Sequence, residues 1–195
     1  VSSKQANTLW SRVYDDCNPG FNFAIKHGFQ IHHHTLGMTL DLNNFDDQPY
    51  QALIHKLEGE GFRFTSMAEL GNDKATQRQL YLLNDTTAME TMGGSGEHSW
   101  ESFEAFQQEV CQAEWYDPDG QLVVINTKTG EFVAISAITR FAGSDAAYNL
   151  HTGVDKRYRG RKLAQAVKAM ALCYARDALN VTHVQTHHLE SNVPM

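Results

Sequence analysis

TGVDKRYRGRKLA, residues 152–164, holds five of the chain's sixteen lysines and arginines: Lys156, Arg157, Arg159, Arg161 and Lys162. Before it, Ala147 to Val154 reads as a strand. After it, Leu163, Val167, Met170, Tyr174 and Ala178 recur at helical spacing. A helix N-terminus presents unpaired N–H groups and the positive end of the helix dipole, so it already favours an anion. Gly160 sits just before that N-terminus, where the absence of a β-carbon lets the main chain approach phosphate oxygens. The pattern of strand, basic glycine turn and helix is therefore expected to cradle a phosphate or pyrophosphate. A solvated basic helix start is the plain alternative. It is disfavoured because each positive charge at a helix N-terminus costs about 0.3 kcal/mol or more unless an anion compensates. Lys-Ser and Lys-Thr are missing after the turn, and so is GxGxxG, so neither a Walker loop nor a dinucleotide fingerprint is present.

Outward from this turn, the pattern alternates between helix and strand. Residues 98–112 carry Trp100, Phe103, Phe106 and Val110 on one stripe behind Ser99, which predicts a capped amphipathic helix. Gln121 to Ile125 and Glu131 to Phe141, joined at Thr129-Gly130, predict an antiparallel hairpin, and Val181 to Leu189 a last strand. In the first half, Phe21 to Ile25 reads as a short helix closed by Gly28. Gln30 to Leu42 reads as extended, with Leu36, Met38, Leu40 and Leu42 on one face. Residues 49–59 read as a helix opened by Pro49, Phe62 to Met67 as a strand, Asp73 to Ala88 as a helix, and 91–97 as a glycine-rich loop.

Composition narrows the function classes. The chain has 195 residues, 42% of them hydrophobic, which suits one domain with a substantial core. Its net charge of −7 argues against a surface-wide nucleic-acid footprint, and no apolar run is long enough to span a membrane. Cys17, Cys111 and Cys173 lack metal-binding spacing and fit a reducing cytoplasm, where the chain is expected to reside; Val1 to Asn7 lack a secretory layout. His32, His33 and His34 invite a metal reading, but on a strand only His32 and His34 would share a face, so no metal is expected.

The stretch from Thr152 to Ala164, continuing through Lys168 and Tyr174-Ala175-Arg176 to Asn192-Val193-Pro194-Met195, resembles the acetyl-CoA-binding region of GNAT-type N-acetyltransferases. It is most similar to bacterial proteins that carry two such domains in tandem. The resemblance covers roughly residues 60–195. It implies an α/β (α+β) fold with a mixed, mostly antiparallel sheet flanked by helices. It also implies that Arg157, Gly160 and the amides of Arg161, Lys162, Leu163 and Ala164 hold the CoA pyrophosphate, with Arg159 in the same turn. The main chain at Thr152, Gly153 and Val154 would hold the pantetheine and the thioester carbonyl, and Asn192 would complete the cofactor site. Lys162 departs from the glycine or alanine usual there.

A weaker resemblance covers residues 8–45. Asn18-Pro19-Gly20-Phe21 and Phe23-Ala24-Ile25-Lys26-His27-Gly28-Phe29 are similar to the closing helix of such a domain, which the chain otherwise stops short of at Asn192. Residues 1–42 are therefore expected to supply the closing part, 43–60 a connecting helix and 61–195 the acetyl-CoA-binding core. A sheet left without its last strands would expose an edge, so the segment is expected to close it, either within one chain or exchanged between two chains of a homodimer. A shortened chain is the plain alternative.

The resemblance implies acetyl transfer to an amine, on a small molecule or a peptide, by direct attack. Such a step needs a base and often an acid for the leaving thiolate. Glu190, just past the last strand, and His188, with His187 beside it, are the proton-carrier candidates; Glu97 and His98 are a weaker pair. The family's usual tyrosine acid falls at Ala24, which leaves Tyr14 or Tyr158 as substitutes. Two other readings stand beside the enzyme: a catalytically silent CoA-binding or dimerisation module, and a small nucleic-acid binder using the arginine turn. The acidic remainder of the chain argues for a cationic acceptor.

Overall fold

The computed structural model describes residues 8–9, 11–90 and 100–190 of the chain. They fall into two compact units that divide between His34 and Thr35. The first unit carries one helix, α1 (Asn18–Lys26), with a proline in its first turn. Gly28 takes the left-handed φ of +84°, which lets the Phe29 N–H reach Ala24 O at 3.0 Å and the Gly28 N–H reach Ile25 O at 3.1 Å. This paired C-terminal cap is the physical content of the Gly28-Phe29 sequence. The extended run is shorter than expected, because residues 30–34 form no strand. Alternating faces therefore do not apply there, and it is His32 and His33 whose Nδ1 atoms meet, at 2.9 Å.

The second unit is built on a six-stranded sheet: β1 (Thr35–Asp41), β2 (Phe62–Ser66), β3 (Gln121–Asn126), β4 (Phe132–Thr139), β5 (Ala147–Val154) and β6 (His183–Leu189), in the order β1-β6-β5-β4-β3-β2. Only the β5–β6 pair is parallel. This is the mixed, mostly antiparallel sheet expected, and β1 from the N-terminal segment lies at its edge beside β6. The register runs from Thr35 opposite Leu189 to Asp41 opposite His183. Leu36, Met38 and Leu40 alternate as anticipated, but at 46%, 50% and 39% exposure their face is largely uncovered.

Alternation within the strands sorts the core into two layers. Leu122 and Val124 of β3 and Ala134 and Ile138 of β4 meet α2 (Gln48–Gly59) and α5 (Leu163–Asp177). Val123 and Ile135 point the other way, against α3 (Lys74–Met89) and α4 (Phe103–Phe106). Helix α2 is more than a connector: Leu57 is buried, and Leu53 and Ile54 pack on the same cluster.

The helix expected over 98–112 is cut short. Ser102 captures the cap by accepting from the Ala105 N–H at 3.1 Å, and after Phe106 the chain widens into a π turn at Gln107–Cys111. Trp100 and Phe106 still pack edge to face, so the aromatic stripe is core even where the helix is not.

Candidate functional site

Strands β5 and β6 pair only at Ala147 with Val184 and Tyr148 with Gln185. Beyond this point β5 continues to Val154 and β6 to Leu189 without pairing, so the two strands part and open a wedge. One backbone edge of β5 past Tyr148 thus has no strand neighbour, and polar main-chain groups face the opening. The β4–β5 register also slips between Ala137 and Ile138, so that Leu150 is skipped just where the wedge begins.

At the far end of β5 the basic turn meets α5. Gly160 has φ +80° and Lys162 φ +65°, two left-handed residues that swing the chain into the helix. Lys162 is the N-cap residue and makes no side-chain cap, which leaves the first-turn amides of α5 for an external acceptor. An L-residue other than glycine in this conformation costs about 1 kcal/mol. Lys162→Gly is therefore expected to stabilise the protein by roughly 1 kcal/mol in urea unfolding, and an unchanged or lower midpoint would refute the strained geometry.

The basic cluster is more fully balanced than its charge count suggests. Arg159 donates to Glu90 Oε2 at 2.7 Å and to Val154 O at 3.1 Å, while Lys156 lies 3.6 Å from the same carboxylate. Arg157 is held by Asp155 at 2.7 Å and approached by Glu131 at 3.7 Å. Hydrogen bonds from the Arg157 side chain, and then from its backbone, keep the Asp155 carboxyl below its ordinary range. Among the described residues no carboxylate pairs with Arg161 or Lys162. What this turn offers an anion is therefore its backbone amides and these two side chains, rather than five free cations.

Each face of the wedge has its own polar lining. On the α5 face, Asn149 donates to Ser136 Oγ and to Ala137 O, both at 3.0 Å, and accepts from Thr152 Oγ1 at 3.1 Å. Thr186 of β6 donates to Asn149 O at 3.1 Å and clasps the two strands at the apex. On the α3 face, Tyr148 and His187 are hydrogen-bonded across the same apex, and His151 lies further along β5.

His151 Nε2 is 2.9 Å from Thr87 Oγ1. Thr87 sends its hydroxyl proton back to Leu83 O at 2.8 Å, so its oxygen accepts from His151. Burial pushes the His151 pKa down to about 4, so the ring is neutral at pH 7. Gly153 makes this packing achievable, since a β-carbon there would come within 2.6 Å of Thr87 and 2.7 Å of His151.

The structure thus brings Thr152, Gly153, Val154, Arg157, Arg159, Gly160, Arg161, Lys162, Leu163 and Ala164 along one side of the wedge and its end. His188 is partly buried on β6 with Nδ1 2.8 Å from Leu189 O, and Glu190 is exposed, five positions beyond the last β5–β6 pair. Asn192, Glu97 and His98 lie outside the described residues. Of the substitute acids, the Tyr158 hydroxyl accepts from Asn126 Nδ2 at 3.0 Å and Tyr14 belongs to the first unit. Tyr148, His151 and Asn149 drew no attention in the sequence, where the only signal was a run of polar residues in the strand before the turn. An open hollow of about 380 Å³ beside Met170, Tyr174 and Asp177 lies at the other end of α5, away from the wedge.

No family model matches the sequence, and no curated protein does. Solved structures do match. A GCN5-related N-acetyltransferase from Sphaerobacter thermophilus superposes with a TM-score of 0.61 at 17% identity, over 90% of this chain and 48% of that one. The tandem GNAT protein from the clavulanic acid biosynthesis pathway gives 0.59 at 18% identity, over 96% and 55%. A GCN5-related N-acetyltransferase from Kribbella flavida gives 0.56 at 14% identity, over 89% and 56%. This chain therefore spans about half the length of these proteins, and at such identities the likeness is one of fold. With its antiparallel arm, one short parallel pair opening into a wedge, and a glycine turn leading into α5, the chain has the fold of the GCN5-related N-acetyltransferases.

Proposed function

We propose that this chain catalyses acyl-CoA-dependent N-acyl transfer, moving an acetyl group from acetyl-CoA to an amine by direct attack. The observation that carries the reading is the wedge between β5 and β6, closed at one end by the uncapped N-terminus of α5. In this reading the amides of Arg161 to Ala164, with Gly160, Arg157 and Arg159, hold the pyrophosphate. The main chain of Thr152 to Val154 runs beside the pantetheine, and Asn192 contributes from beyond β6. Arg157 and Arg159 are already engaged by carboxylates, so their part is to fix the turn rather than to carry unpaired charge to the ligand.

Glu190 and His188 stand at the open end of β6 and are proposed as proton carriers for the incoming amine. From that position Glu190 acts through intervening water, because five residues of strand span about 17 Å. The acceptor is an amine on a small molecule or a peptide, and the acidic chain favours a cationic one. No helix among the described residues is long and apolar enough to cross a membrane. A cytoplasmic setting, supplied with acetyl-CoA, belongs to the same proposal. So does completion of the sheet by residues 8–42, from the same chain or from a second copy. The antiparallel pairing of β1 with β6 supports the part played by residues 35–41.

The test is binding followed by turnover. Acetyl-CoA at a hundred times its Kd is expected to raise stability by about 2.7 kcal/mol, read as an upward thermal shift, with duplex DNA giving none. CoA release with a panel of primary amines then reports transfer. No shift with acetyl-CoA would overturn the reading, and a shift without CoA release from any amine would favour the silent CoA-binding module.

A further inference from the structure

We propose that two copies of this chain associate through the outer edge of β1, which pairs antiparallel with β1 of the second copy about a two-fold axis at Met38 and joins the two sheets into one. Each copy keeps its own β1 on its own β6, so the contact is separate from any exchange of the N-terminal segment. It does not rest on the acyltransferase reading.

The strand order leaves β1 and β2 as the two edges of the sheet. A free edge presents unpaired N–H and C=O groups, and proteins blunt it with a short strand, a charged side chain or a proline. β2 is blunted in this way: it has five residues, with Arg63 exposed and Phe62, Thr65 and Ser66 buried. β1 is not. It runs for seven residues, exposed from Thr35 as far as Leu40, without proline or lysine, and its one charged residue is Asp41 at the end. A β-carbon on Gly37 would meet nothing within 4 Å, so the middle of the strand is open to an approaching chain.

The pairing with β6 decides which main-chain groups face out. The Leu42 N–H donates to Thr182 O at 2.8 Å, and these two residues stand directly opposite in continuation of the β1–β6 register. Hydrogen-bonded pairs alternate along an antiparallel ladder, so Leu40, Met38 and Leu36 also turn their main-chain groups toward β6. Those of Thr35, Gly37, Thr39 and Asp41 therefore face outward. A two-fold axis at Met38 uses all of them: Gly37 meets Thr39 of the second copy, Thr35 meets Asp41, and each pair exchanges N–H and C=O groups. Leu36 then faces Leu40, and Met38 faces its own copy, at the non-hydrogen-bonded positions where side chains come closest. Every partner there is apolar, and all three side chains are exposed in the single chain, so the contact removes apolar surface from water. Like charges do not oppose each other, because Asp41 meets Thr35. Moving the axis to Gly37 or Thr39 leaves one end of each strand without a partner. Seven residues a side is fewer than the roughly 20–30 of a standard interface, so the dimer is weak and dissociates on dilution.

Sedimentation equilibrium of the full chain tests this at physiological salt, where the Debye length is about 8 Å and the −7 charge on each copy is screened. The mass is expected to rise reversibly from that of one chain toward that of two as concentration increases. Met38→Lys sets two ammonium groups against each other across the axis and is expected to weaken the dimer about tenfold or more. Thermal unfolding of the dilute variant should match wild type, because Met38 is 50% exposed. Cross-linking reads the register without depending on that variant. In a Cys17→Ser background, which removes the exposed native thiol, Met38→Cys places two cysteines directly opposite with Cα atoms about 4.5 Å apart, within disulfide reach. Thr39→Cys offsets the two by about 7 Å along the strands, so mild oxidation is expected to link the first variant and leave the second largely unlinked. A mass that stays that of one chain up to millimolar concentration, a dimer that Met38→Lys leaves intact, or equal linking of the two cysteine variants would overturn the edge pairing. Each of these outcomes leaves the acyl-transfer proposal standing, since acetyl-CoA binding tests that by itself.

Discussion

Gly120→Ala is expected to destabilise the protein by about 3 kcal/mol or more, the upper range for forcing an added methyl group into a packed site. A β-carbon at this position would lie 2.2 Å from the main-chain carbonyl oxygen of Ile138, and no rotamer change can relieve a contact with backbone. The glycine ends the Asp117–Gly120 turn, where its N–H reaches Asp117 O at 3.1 Å and its own carbonyl accepts from the Ile138 N–H at 2.9 Å. Ile138 would have to move, and it is paired with Asn149 beside the register slip at the wedge apex. Strain at Gly120 would therefore pass through β4 into the strand that borders the candidate site. For a chain of this length the melting temperature should fall by roughly 6–12 °C. Gly37→Ala is the control, because a β-carbon there meets nothing within 4 Å and the residue lacks positive φ. Equal losses in the two variants would refute the argument.

Elements that carry their own punctuation were legible in the sequence. Strand β5 was bounded correctly at Ala147 and Val154, and α2 within one residue, because a proline opens it and glycines follow it. Helix α4 was not, because the stripe of Trp100, Phe103 and Phe106 fits a helical period whether or not the backbone follows it. The choice of Ser102 over Ser99 as cap is made by local hydrogen bonding.

The glycine turn was legible for the same reason as β5, but its electrostatics were not. Glu90, which engages Lys156 and Arg159, comes from the end of α3, 69 residues before Arg159. The wedge is also invisible locally, since the point where β5 and β6 part depends on how far two distant strands stay in register. Tyr148 and His187 are 39 residues apart, and nothing in either neighbourhood marks the other. Positions set by local backbone conformation could be proposed from a motif; side chains whose partners are chosen by the fold could not.

Acid is expected to weaken the fold through His151 in a definite window. Burial lowers its folded-state pKa to about 4, against 6.5 for an unperturbed imidazole. The unfolded chain therefore takes up the proton first as pH falls. Stability from this residue is complete above about pH 6.5, declines between 6.5 and 4, and changes no further below 4. At 1.36 kcal/mol for each pKa unit, the loss across the window is about 3 kcal/mol. Asp155 acts in a different range. Arg157 depresses its folded value below the ordinary 3.8, so its contribution is present above that value and disappears only as pH falls through the depressed one. The two groups can thus be separated by pH alone. His151→Gln retains an N–H donor for Thr87 without a titrating ring, so its urea-unfolding stability should be flatter than wild type from pH 6.5 to 4, and the two curves should run parallel below. Protonation would place a desolvated charge on the ring that packs against Thr87 and Gly153, where α3 meets β5 beside the wedge. Under the proposed function, acetyl-CoA binding is expected to weaken over the same interval in wild type and less in His151→Gln. Wild-type and variant stability curves that stay parallel between pH 6.5 and 4 would rule out His151 as the titrating group.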